Sequence, residues 1–179
     1  IKSNNFYLSF GFIRNDLICN LNGKNSSIEL NALFLGKDSQ FIDHNVIINH
    51  NKPYSSSNVV YKGILNQHSK GVFNGLINVL PKCFQVCSDQ KNQNILLSKE
   101  AKMNSNPKLK IDCDDVKCAH GSTTGNLNKD ELFYLRSRGI ELQKARSILI
   151  KGFANDIVNN IPLDLIKNRV NQNIENIVN

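Results

Sequence analysis

The feature that most restricts this chain is a change of hydrophobic period near residue 125. Before it, short apolar runs recur about every ten residues, each closed by turn-forming residues: FYLSFGF, LICNLNG, SIELNALFLG, QFIDHNVIINH, NVVYKGIL and GVFNGLINV. The alternation is cleanest where Ile28, Leu30, Ala32 and Phe34 share one side while Glu29, Asn31 and Leu33 take the other, the period of a strand. Asn22 with Gly23, Gly36 to Ser39, Asn51 to Asn58, and Gly71 break the runs. Such spacing fits a sandwich, a barrel or a β-solenoid, and does not choose among them.

Between Pro81 and Asp115 the pattern weakens. A structureless loop of that length is improbable in a compact domain, so short strands are expected at Asn94 to Ser98 and Leu109 to Cys113. The polar stretch Lys99 to Pro107 is expected to be a mobile excursion. After Gly125 the period becomes about 3.6. Asn128 caps a helix in which Glu131 can reach back, and Arg136, Arg138 and Gly139 close it. Leu142, Ala145, Leu149, Phe153 and Ile157 form the stripe of a second helix ending before Pro162. Ile166, Val170, Ile174 and Ile177 form that of a third. The chain thus divides into a strand-built part, 1–125, and a helical part, 126–179.

Charge excludes little. The net +7 is spread as +3 over residues 1–79 and +4 over 80–179, with no basic arm or stripe, which gives nucleic-acid binding little support. No apolar run approaches the roughly 18 residues that cross a bilayer, and the first residues lack the pattern of a secretion signal, so a soluble, intracellular protein is expected. The start at Ile1, without an initiator Met and directly in strand-like sequence, is read as the C-terminal portion of something longer. Asparagine occurs 28 times, which fits either polar ladders in a stacked sheet or a genome bias, and the second reading is preferred.

Five cysteines without a secretion signal imply reduced thiols. Cys19 reads as a small buried hydrophobe. Cys83 and Cys87 would share a face of extended chain, with metal binding there the lesser reading. His44, His50 and His68 read as surface or hydrogen-bonded residues. The exceptional segment is DCDDVKCAHGSTTG, residues 112–125, the densest gathering of acids, thiols, imidazole and hydroxyls. On a strand Cys118 and His120 leave the same face, while Lys117 and Ala119 point away. Thiolate and neutral imidazole suit iron, zinc or an iron–sulfur cluster. Two ligands do not close a site, however, and a packed Cys beside a hydrogen-bonded His explains the same spacing. Asp112, Asp114 and Asp115 fit a cap, turn or surface role better than paired-carboxylate chemistry. Neither a GxSxG elbow nor a GxxxxGK[ST] loop occurs, so the chain is not expected to bind ATP by itself in the P-loop manner.

DDVKCAHGSTTGNL followed by ELFYLRSRGI resembles the C-terminal core of the SufB/SufD family, scaffolds of iron–sulfur cluster assembly, and its Cys-x-His-Gly pattern resembles the SufD branch. YKGIL, GVFNGLINV, NQNILLS and PKLKIDCDDV occur in that family's order, so the similarity covers about residues 50 to 160. It implies a mainly β fold, a right-handed parallel β-helix (solenoid) body followed by a small C-terminal helical region. It also implies a heterodimer with a SufB-like subunit and docking of a SufC-like ATPase through the helical region, in the cytoplasm or a plastid stroma. As a scaffold the chain is expected to be no enzyme, catalysing no bond-making step of its own. Leu149, Phe153 and Ile157 would pack the core, while Lys151 and Asp156 would face the ATPase. His120, with Cys118 beside it, would supply part of the environment of a transient cluster shared with SufB, with no intrinsic cofactor. Two other readings stand beside this one. A β-solenoid carbohydrate hydrolase or lyase needs a row of carboxylates, for which Glu29, Asp38 and Asp43 are too sparse. A purely structural partner subunit needs no ligand residues at all.

Overall fold

The computed structural model describes residues 1–8 and 11–178. Its elements are β1 (Lys2–Tyr7), β2 (Phe12–Leu21), β3 (Ser27–Gly36), β4 (Phe41–His50), β5 (Ser56–Leu65), β6 (Lys70–Val79), β7 (Val86–Leu96), β8 (Lys102–Ile111), β9 (Val116–Gly125), α1 (Lys129–Ser137), α2 (Leu142–Val158) and α3 (Asp164–Val178). Successive strands alternate between two parallel sheets, ordered β1-β3-β5-β7-β9 and β2-β4-β6-β8. The body is therefore a β-solenoid of about four turns, each coil giving one strand to each sheet. Of the expected run Phe6 to Phe12, Ser9 and Phe10 lie outside the described residues.

Corners repeat because the coils do. Ser27, Ser56 and Cys87 stand in register one coil apart, and the corner just before them uses left-handed backbone each time, at Asn25, Tyr54 and Gln85. The opposite corner does the same at Asp38 and Gln67, where the Asp38 amide donates to Gln67 Oε1 at 2.7 Å. Non-glycine residues at positive φ are uncommon, and the stacked coil above and below holds each one there.

Two apolar clusters account for most of the buried side chains. Between the sheets lie Leu30, Phe34, Ile42, Ile48, Val59, Tyr61, Phe73 and Ile77, all fully buried. The outer face of the odd-numbered sheet carries Leu33, Leu35 and Ile64, and there α2 and α3 pack through Ile150, Ala154, Ile157, Val170, Ile174 and Ile177. β3 is consequently buried on both faces, which explains why Leu33 and Leu35 interrupt its polar side. Lys62 pins α2 to β5: its Nζ donates to the Phe153 carbonyl and to Asp156 at 2.8 Å, and its cation lies 4.7 Å from the Phe153 ring centroid.

Several expectations need correction. Lys99 to Pro107 is not an excursion, since most of it is β8, paired throughout with β6. Ladder pairing overrides the turn-forming composition, and Pro107 is tolerated because β8 is an edge strand. The α2 stripe holds at Ala145 and Ile157, which are buried, and at Phe153, which packs against the helical cluster, but it is broader than expected, since Ile150, Ala154 and Val158 are buried too while Leu142 is exposed. Asparagine ladders do form on the outer face of the even-numbered sheet, where Asn49 donates to Asn20 at 2.8 Å and Asn78 donates to Asn49 at 2.9 Å. Asn51 and Asn22 continue the pattern at the corner.

Candidate functional site

Cys118 and His120 lie on β9, the last strand of the odd-numbered sheet, which pairs with β7 on one side only. Cys118 packs against the inter-sheet core, so this face of β9 points inward. Ser122, two residues past His120, confirms the direction: its hydroxyl donates to Ser105 Oγ at 2.8 Å, and Ser105 donates across to Asn92 at 2.7 Å. His120 stands between them on the same face, yet it is exposed, and among the described residues no strand follows β9 in its sheet. The imidazole is therefore open to solvent at the end of the solenoid while the thiol beside it stays half-buried, and among the described residues β9 pairs with β7 alone.

The interior changes character towards that end. Each inward column of the odd-numbered sheet can be followed by register, from Ile28, Leu30, Ala32 and Phe34 on β3 to Ser57, Val59, Tyr61 and Gly63 on β5. Beyond these lie Ser88, Gln90, Asn92 and Asn94 on β7, and then Cys118, His120, Ser122 and Thr124 on β9. The floor beneath β9 is thus entirely polar and buried. Ser88 shares a 2.7 Å hydrogen bond with Ser57, which lies 2.9 Å from His50 Nε2, while His50 Nδ1 is 2.7 Å from Ser55. Ser55 spends its own hydroxyl hydrogen on the Lys52 carbonyl, so His50 Nδ1 must donate to it and Nε2 must accept from Ser57. Burial holds His50 neutral, pushing its pKa down to about 4.

Burial also raises the Cys118 thiol, helped by the neighbouring Cys87 thiol and opposed by a backbone hydrogen bond from Ser88. Among the described residues no three His, Cys, Asp or Glu side chains converge as a metal site. Cys83 and Cys113 pack in the same inter-sheet cluster, and Cys113 helps burial to raise the Cys83 thiol. Cys83 is buried at a corner while Cys87 is exposed on β7, so the two do not share a face as the spacing suggested. Cys19 is half-buried against the core. His44, expected to be at the surface or hydrogen-bonded, is fully buried among Tyr7, Phe34 and Tyr61, with neither ring nitrogen bonded and its pKa pushed down to about 4 by burial. His68 is exposed. Asp115 accepts from Gln85 at 2.7 Å in the corner before β9, and Asp112 lies 3.9 Å from Lys110.

In the helical region Lys151 bonds Glu175 of α3 and Asp156 bonds Lys62, so both residues proposed to face an ATPase have partners within the chain. α1 differs. None of its residues is buried, and Phe133 is 74% and Tyr134 55% exposed. The polar floor of β7 escaped the sequence reading, although its signal was present as Ser88, Gln90, Asn92 and Asn94 at every second position. Those residues were passed over because an inward strand face is ordinarily read by apolar residues.

Comparison with known proteins matches residues 1–153 to the family model of the SUF system FeS cluster assembly SufBD core domain. The chain is 34% identical over 168 residues to the iron-sulfur cluster assembly protein SufD of Escherichia coli (strain K12), covering 94% of this chain and 40% of that protein. It is 38% identical over 145 residues to the SufBD family protein slr0076 of Synechocystis sp., covering 80% of this chain and 32% of that one. Protein ABCI7, chloroplastic, of Arabidopsis thaliana is 31% identical over 87% of this chain and 33% of its own length. The chain therefore spans well under half the length of these relatives. No helix among the described residues is long and apolar enough to cross a membrane. With the solenoid, the ordered blocks and this match in agreement, the chain belongs to the SufBD core family of the SUF iron–sulfur cluster assembly system.

Proposed function

We propose that this chain is the C-terminal part of a SufD-like, non-catalytic scaffold subunit. Its open solenoid end joins a SufB-like subunit, and Cys118 and His120 form part of the surroundings in which iron and sulfide, the cargo, are assembled. The single observation that carries this is their placement: two complementary donors share one face of a strand whose outer edge has free backbone groups. Such an edge pairs readily with a strand of another chain, and the partner then supplies the ligands missing here. The helical region would dock a SufC-like ATPase, with α1 offering Phe133 and Tyr134 as its exposed aromatic surface. ATP chemistry belongs to that partner, because this chain has no P-loop sequence. Movement of the docked helices would reach the solenoid through the Lys62–Asp156 contact between α2 and β5.

The experiment is amide hydrogen exchange on the full-length protein, alone and after co-expression with its SufB-like and SufC-like partners. Those amides of residues 116–125 that face away from β7 should exchange quickly alone and become protected in the complex. Co-purification without any change in that segment would place the partner elsewhere and defeat the reading.

A further inference from the structure

The proposed site on β9 rests on a layer of four polar residues, and three of them are fully engaged. Ser88 bonds Ser57. Asn92 donates to the Tyr61 carbonyl at 3.2 Å and accepts from Asn94 and Ser105 at 2.7 Å. Asn94 reaches the Thr123 carbonyl and the Thr124 hydroxyl on β9 itself. Gln90 is the exception. It has no exposed surface, and neither Oε1 nor Nε2 has a hydrogen-bond partner. A buried primary amide with both ends unbonded is destabilising, and a partner that reaches it on assembly would relieve that cost. Its register partner on β9 is His120. Room for the amide is provided across the interior by Gly75, where a β-carbon would collide with it.

We propose that Gln90 is a positioning residue for His120: its buried amide, one rung beneath the imidazole in the same inward column, hydrogen-bonds the ring and fixes which nitrogen faces the cargo metal. This rests on the reading of His120 as a donor. A metal-binding imidazole uses one nitrogen lone pair and carries its proton on the other, and that N–H needs an acceptor to hold the ring's orientation. Gln90 Oε1 is such an acceptor, fixed in place by burial and not subject to competition from water. Its unsatisfied state in the uncomplexed chain follows, because His120 is exposed until a partner subunit closes over it.

The test uses the full-length protein in complex with its SufB-like partner and Co(II) as the probe metal, read by ligand-field absorption and by affinity. Gln90→Met should weaken Co(II) binding about tenfold or more and alter the absorption bands, the usual range for loss of an outer-shell partner. Gln90→Glu, uncharged when so buried, keeps an acceptor oxygen of the same reach and should retain most of the affinity. It also serves if the Met variant fails to assemble, since a threefold loss or less is then required of it. His120→Ala should abolish the signal. Wild-type binding by Gln90→Met alongside a loss in His120→Ala overturns the role of Gln90 and leaves the donor reading intact. Wild-type binding by His120→Ala overturns the donor reading, and the role of Gln90 with it.

Discussion

Cys118 and His120 leave the same face of β9, yet the thiol is half-buried against the inter-sheet core while the imidazole is exposed at the solenoid's open end. One is held by the fold and the other is open to solvent. Thiol labelling should register this difference in environment. Cys87 is exposed and should react first with a small thiol reagent, whereas Cys83, buried and with its pKa raised by desolvation, should react last. Cys118 should label slowly in the full-length protein, become protected on joining its partner, and be exposed again when the ATPase binds ATP. Peptide mass spectrometry of the labelled complex checks each rate. A Cys118 unreactive in every state would favour packing as its whole role.

The two buried histidines of β4 predict opposite responses to substitution. His44 has no hydrogen bond to lose, so His44→Phe should leave stability at neutral pH unchanged or raise it by about 1 kcal/mol. His50 serves Ser55 and Ser57, so His50→Phe should cost about 2 kcal/mol. Urea unfolding of the full-length variants measures both.

The same histidines set a pH dependence. Burial pushes each folded pKa down to about 4 from the 6.5 of an exposed imidazole, so the folded state refuses a proton that the unfolded chain accepts. Their stabilising effect is complete above about pH 6.5 and is lost as pH falls through that window towards 4, reaching about 3 kcal/mol per histidine. His44→Phe should therefore gain about 2 kcal/mol over the wild type at pH 5. Equal slopes for the two proteins between pH 6.5 and 5 would contradict the burial account.

The contact between Lys62 and Asp156 is asymmetric, because the lysine is buried and the aspartate largely exposed. Asp156→Ala strands a buried ammonium with the Phe153 carbonyl as its remaining partner, and should cost about 2 kcal/mol. Lys62→Met removes the charge and keeps the stem, and should cost less. Thermal unfolding ranks the pair, and the reverse order would mean that Asp156 contributes nothing to holding α2.

How far the fold was legible depended on which side chains faced inward. The alternation of Ile28, Leu30, Ala32 and Phe34 marked β3 because its inner face is apolar. The cap of α1 was equally plain: Asn128 Oδ1 accepts from the amides of Asp130 and Glu131, and Gly139 closes the helix at a φ of 81°. β7 was obscure because Ser88, Gln90, Asn92 and Asn94 fill a polar interior, and β8 because Asn104, Ser105, Asn106 and Pro107 mimic a loop. The α2 stripe was legible at Ala145, Phe153 and Ile157 but not at Ile150, Ala154 and Val158, because that helix lies against α3 as well as the sheet and its buried arc is set by two neighbours. The shared face of Cys118 and His120 followed from strand geometry alone. Gln90 beneath His120 did not, since only the stacking of coils brings residues of adjacent turns into one column.

The most direct measurement is the iron and acid-labile sulfide content of the full-length complex carrying His120→Ala, purified anaerobically beside the wild type. If the imidazole at the solenoid's end helps hold the cargo, an intact complex should retain about a tenth or less of both elements. An intact complex loaded with iron and sulfide at the wild-type level would contradict that account.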